Sequence, residues 1–63
     1  MDALFPLTTS ERLTRVAAFV VEERRHCEHM VARHPENRAY WQERVAQADV
    51  ALADIETLKE TQR

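Results

Sequence analysis

The 63-residue sequence contains no glycine. That absence removes Gly-rich phosphate loops, Rossmann turns and most tight hairpins, all of which need backbone conformations that residues bearing a Cβ avoid. Cysteine is almost as scarce: Cys27 stands alone, so no intrachain disulfide can staple the chain, and a lone thiol fits a reducing compartment. Prolines number two, Pro6 and Pro35. No long hydrophobic run is present. The longest, Val16 to Val21, ends at Glu22-Glu23-Arg24-Arg25, well short of a membrane span or a signal peptide. Nor is there an excess of positive charge: nine Lys+Arg face eleven Asp+Glu for a net charge of −2, leaving no global basic field to draw nucleic acid. The expectation from these absences is a soluble, cytoplasmic, all-α chain forming one domain over residues 1–63.

What is present is helical patterning. Residues 1–7, Met1-Asp2-Ala3-Leu4-Phe5-Pro6-Leu7, carry no caps, and Pro6 biases Phe5 toward extended backbone, so this stretch is expected to be an apolar arm. Thr8-Thr9-Ser10-Glu11 then sets a hydroxyl three residues ahead of a glutamate, the capping-box pattern that opens a helix. A first helix is predicted over about 8–33. Its apolar positions are Leu13, Val16, Ala17, Val20, Cys27 and Val31, with Phe19 and Met30 on one flank, an arc of about 160°. Pro35 ends this helix near His34 and suits the first turn of the next. A second helix over about 36–60 carries Trp41, Val45, Ala48, Leu52 and Ile55 at alternating spacings of four and three, flanked by Tyr40, Ala51 and Leu58. That alternation is a coiled-coil seam. Two helices of about 38 Å joined by so short a turn must fold back antiparallel. The expected core is Leu13, Val16, Val20, Cys27, Val31, Trp41, Val45, Ala48, Leu52 and Ile55.

A chain this short buries only about 60% of its unfolded surface. With no disulfide, stabilisation has to come from self-association, a partner protein or a metal. The wide face of helix 1, the arm Leu4, Phe5 and Leu7, the flank residues Phe19 and Met30, and the outer stripe Ala39, Ala46, Val50 and Ala53 of helix 2 make more apolar surface than one seam can cover. Such excess marks an interaction surface. A four-helix bundle is therefore expected, formed as a homodimer or with a helical partner.

Other constellations point to other chemistry. Glu23-Arg24 falls midway between Val20 and Cys27, where an apolar layer is due; it reads either as a polar layer paired with Arg44 or a second chain, or as stems that bury while the charged heads reach solvent. Glu23, His26 and His29 are spaced three apart and are the candidate metal ligands, since Glu-x-x-His projects from one helical face in di-iron bundles. Helix 2 places Glu43 and Glu56 off its seam, however, so the further inward glutamates of such a site are missing. No cofactor is expected. No catalytic residue is expected either, because Cys27 and His26 are consecutive and point about 100° apart on a helix. For RNA, Arg15, His26 and Arg33 form a thin basic line interleaved with Glu22. The plasmid copy-control RNA-binding dimers resemble this chain in size and hairpin architecture, which keeps RNA binding as an alternative function although nucleic acid is not the expected partner.

The segment Pro35-Glu36-Asn37-Arg38-Ala39-Tyr40-Trp41-Gln42-Glu43-Arg44-Val45-Ala46-Gln47-Ala48-Asp49-Val50-Ala51-Leu52-Ala53-Asp54-Ile55 resembles the second helix of the small hairpin co-chaperones of type III secretion needle subunits. The shared features are an aromatic followed by glutamine, Trp41-Gln42, then an Ala-rich stretch leading to Leu52 and Ile55. The likeness covers about a third of the chain. A glycine is common in that family's turn, where this chain has His34-Pro35. The resemblance implies a non-enzymatic cytoplasmic protein that binds a TPR-like chaperone and helps keep an aggregation-prone needle subunit monomeric. It carries over no catalytic or metal residue.

Overall fold

The computed structural model describes residues 7–62, so Leu4 and Phe5 of the expected arm lie outside the described residues. Two helices, α1 (Thr9–Arg33) and α2 (Arg38–Thr61), are joined by a single 3₁₀ turn, Pro35–Asn37. They pack on each other as an antiparallel hairpin, with no strand among the described residues.

Local chemistry explains each boundary. At the start of α1 the Glu11 amide donates to the Thr8 hydroxyl at 3.1 Å, while the Thr8 amide donates to the Glu11 carboxylate at 2.8 Å. This reciprocal capping box satisfies two donors that have no partner within the helix. At the other end His34 leaves helical geometry, with φ −131° and ψ 71°, as a residue preceding proline must, while its amide still donates to Met30. Pro35 opens the 3₁₀ turn, and the Asn37 amide closes it on the His34 carbonyl at 2.9 Å. Glu36 latches the corner through the His34 ring, 3.1 Å away. The Glu36 carboxyl is held below its ordinary pKa by its own backbone amide and then by His34. No described residue adopts positive φ. Every residue of the corner keeps negative φ, so the turn has no use for glycine.

The interface between the helices follows a heptad. On α1 it runs Leu13, Ala17, Val20, Arg24, Cys27 and Val31; on α2 it runs Trp41, Val45, Ala48, Leu52 and Ile55, all buried or half-buried. Of the ten residues expected in the core, Cys27, Ala48 and Ile55 are buried and six are half-buried. Val16 is the correction: it is 48% exposed, and Ala17 takes the seam position instead. The alternation of four and three counted from Leu13 lands on position 17, and the preceding residue points about 100° away, onto the flank.

Half-burial is the rule because the described residues form a single layer of two helices. The molecule measures 48 × 28 × 11 Å with a radius of gyration of 15.0 Å. A compact domain of this length has a radius of gyration of about 11 Å. Domains ordinarily enclose their core between two layers. Here both sides of the seam remain open among the described residues.

Candidate interaction surface

The broader open side is a groove of ≈ 460 Å³ whose walls are Phe19, Val20 and Glu23 of α1 and Arg44, Gln47, Ala48 and Ala51 of α2. Small side chains on α2 make its floor. Phe19 stands at its edge, 76% exposed. Helical spacing extends the same flank: Val16 lies three residues before Phe19, and Leu58 lies seven after Ala51; both are about half exposed. The opposite side of the seam holds a smaller groove of ≈ 300 Å³ between Glu28, Val31, Gln42 and Val45.

Toward the turn the large groove is closed by a polar and aromatic chain. Glu23 accepts from Arg44 at 2.7 Å and from the Cys27 thiol at 3.5 Å. Arg44 also donates to the Tyr40 hydroxyl at 3.4 Å, with its guanidinium 5.9 Å from the Tyr40 ring centre. Tyr40 meets Trp41 edge-on at 4.9 Å, and Trp41 meets His26 in the same way at 5.9 Å. Aromatic pairs favour this edge-to-face geometry. The Arg44 hydrogen bond, seconded by Cys27, holds the Glu23 carboxyl below its ordinary pKa, and the same contact raises that of Arg44. The Nε of Arg44 is buried without a partner among the described residues, although the head of the side chain reaches solvent.

Both readings of the Glu23-Arg24 layer find support: Glu23 pairs with Arg44 within one chain, and the paired heads still reach solvent. Arg24, its neighbour, turns to the other side of the seam, where it bridges to Asp49 at 2.5 Å and to Glu28 at 2.9 Å. Glu23, His26 and His29 are not brought together as ligands. No group of three His, Cys, Asp or Glu among the described residues is placed to hold a metal ion. Glu23 is engaged by Arg44, and the His26 ring packs on Trp41.

Of the residues expected to meet a partner, Phe19 edges the groove, Met30 and Leu7 are half-buried, and Ala39, Ala46, Val50 and Ala53 are exposed on the face of α2 turned away from α1. The groove also uses Gln47 and Ala51, which that expectation omits. Their signal is in the sequence: Tyr40, Arg44, Gln47, Ala51 and Leu58 follow spacings of four, three, four and seven, a second stripe beside the seam. No helix of the described residues is long and apolar enough to cross a membrane. No protein-family model, characterised protein or solved structure matches the chain, so the hairpin's own chemistry carries the functional reading.

Proposed function

We propose that this chain is a non-enzymatic protein-interaction module of the adaptor or co-chaperone type, a helical layer that becomes a bundle by packing against helices of another protein. The observation that supports it is the single layer itself, whose seam buries three side chains while an apolar groove headed by Phe19 stays open. Exposed aromatic anchors beside small-residue floors are what amphipathic helices dock on. The co-chaperone form of the role comes from the resemblance of the Pro35 to Ile55 segment. On that reading the protein works in the cytoplasm, binding a TPR-like chaperone and helping to shield a needle subunit.

The test is capture of partners by the full chain in its native cell, identified by mass spectrometry and rebuilt from purified components. A helical protein that binds the wild-type chain in fixed stoichiometry, and binds Phe19→Asp more weakly, is the expected result. A chain that captures no other protein overturns the reading. Capture of RNA, with affinity falling steeply as salt rises, moves the function to the nucleic-acid alternative.

A further inference from the structure

From the groove and its rims we infer that a second copy of this chain covers the Phe19 face, with α1 of each copy lying on α2 of the other. The inference rests on reading that face as an interaction surface and names what occupies it when no other protein does. Three observations carry it.

The first is area. The chain exposes 5018 Å². A compact monomer of its mass exposes about 4,200 Å² by the usual scaling. The excess of about 800 Å² is what one partner loses in an interface of ordinary size.

The second is shape. A pairing of identical chains about a two-fold axis needs the same patch to offer both the projection and the hole. Here one face carries both: Phe19 projects from α1, and Ala48 and Ala51 floor the groove on α2. The Glu23–Arg44 and Arg24–Asp49 bridges fix the level of each residue along the hairpin. Counting outward from them, Phe19 comes level with the stretch 48 to 54, which holds Ala48 and Ala51. A two-fold axis parallel to the helices keeps every level, so each Phe19 meets the alanine floor of the other copy.

The third is charge. Arg15 lies one turn before Phe19 on the outer edge of α1, and the acids that follow Phe19, Glu22 and Glu23, are paired with Arg25 at 3.0 Å and with Arg44 at 2.7 Å. The matching edge of α2 carries Asp54, beyond the groove residues Gln47 and Ala51. By the same count Arg15 falls level with the stretch 52 to 58, which contains Asp54. An axis parallel to the helices brings Arg15 of one copy onto Asp54 of the other. An axis across them stacks α1 on α1 and takes Arg15 away from that acid. Opposite-charge pairing therefore favours the first arrangement.

Sedimentation equilibrium of the purified full chain, across micromolar to millimolar concentration, tests this directly. The expected mass is twice 7.4 kDa. Phe19→Asp is expected to abolish the dimer, with circular dichroism reporting whether the helices persist. Because that variant can lose its fold along with its partner, the charge edge supplies an independent readout. Arg15→Asp and Asp54→Arg alone each weaken the dimer about three- to tenfold, since every contact occurs twice, and the double exchange restores it. A monomer at all concentrations, or a dimer indifferent to Phe19→Asp, overturns the inference. So does a double exchange that fails to rescue. A monomer that captures a helical protein through Phe19 sinks the dimer but leaves the adaptor reading standing. A dimer that captures nothing else does the reverse.

Discussion

Glu23 of α1 and Arg44 of α2 form the bridge that closes the groove, 2.7 Å apart and with the Cys27 thiol and Tyr40 hydroxyl as additional partners. The contact joins residues 21 apart in sequence and so reports directly on whether the hairpin is closed.

That bridge sets the acid limb of stability. Because Arg44 favours the ionised carboxylate, Glu23 titrates below its ordinary 4.5 in the folded chain. The folded state then binds that proton less readily than the unfolded one, so its contribution is present above pH 4.5 and disappears as pH falls through the lowered value. Glu36, lowered by its own amide and by His34, acts in the same direction. Thermal melts followed by circular dichroism are expected to show the midpoint dropping below pH 4.5, with a flatter acid limb in Glu23→Gln and a flatter one again in Glu23→Gln/Glu36→Gln.

The capping box gives a local test. Thr8→Ala removes the acceptor for the Glu11 amide and leaves that donor to water, at a cost of about 1 kcal/mol. Thr8→Ser retains the oxygen and is expected to melt within a degree or two of the parent, near the resolution of urea and thermal titrations.

Burial separates two aliphatic positions on α2. Ile55 is 7% exposed, and Ile55→Ala is expected to cost about 2–5 kcal/mol, a large share of the roughly 3–9 kcal/mol that a chain of this length commands. Val50, 62% exposed on the outer face, is expected to accept Ser within about 0.5 kcal/mol in the isolated chain. Equal losses at the two positions would mean that the α2 helix is rotated from the orientation described.

Metal is expected to leave the fold unmoved. Glu23 is committed to Arg44, and His26 packs on Trp41. Melting midpoints should therefore agree before and after chelation and in the presence of Zn²⁺ or Fe²⁺. A binder of the folded state would raise them in proportion to the logarithm of its concentration.

Much of this architecture was legible in the residues because its causes are local. Thr8 and Glu11 set the helix start, Pro35 ends α1, and the spacing from Trp41 to Ile55 draws the α2 seam without reference to packing. Harder to read was rotation. Val16 and Ala17 are adjacent on a stripe wide enough to admit either, and bulk favoured the valine; the heptad placed the alanine inside because a close approach of the two helices suits a small side chain there. The groove is hard to read from the residues for a similar reason. Its floor is Ala48, a seam position, and Ala51, a flanking one, and spacing alone does not show which side of α2 the other helix leaves open.

Arg24 is where seam and specificity conflict. It occupies a heptad position between Val20 and Cys27, half-buried, with its charge carried out to Asp49 and Glu28. Replacing it by leucine restores an unbroken apolar seam, and swapping partly buried ion pairs for packed hydrocarbon is often stabilising. Arg24→Leu is accordingly expected to raise the melting midpoint. A polar residue at one seam position also fixes register, since any sliding of the helices would strand its charge away from Asp49. The same variant should therefore populate more than one association state, visible as a spread of masses in light scattering where the parent gives one. A midpoint that falls would mean that the Asp49 and Glu28 bridges outweigh the hydrocarbon gained. A higher midpoint with a single mass would assign Arg24 no part in register.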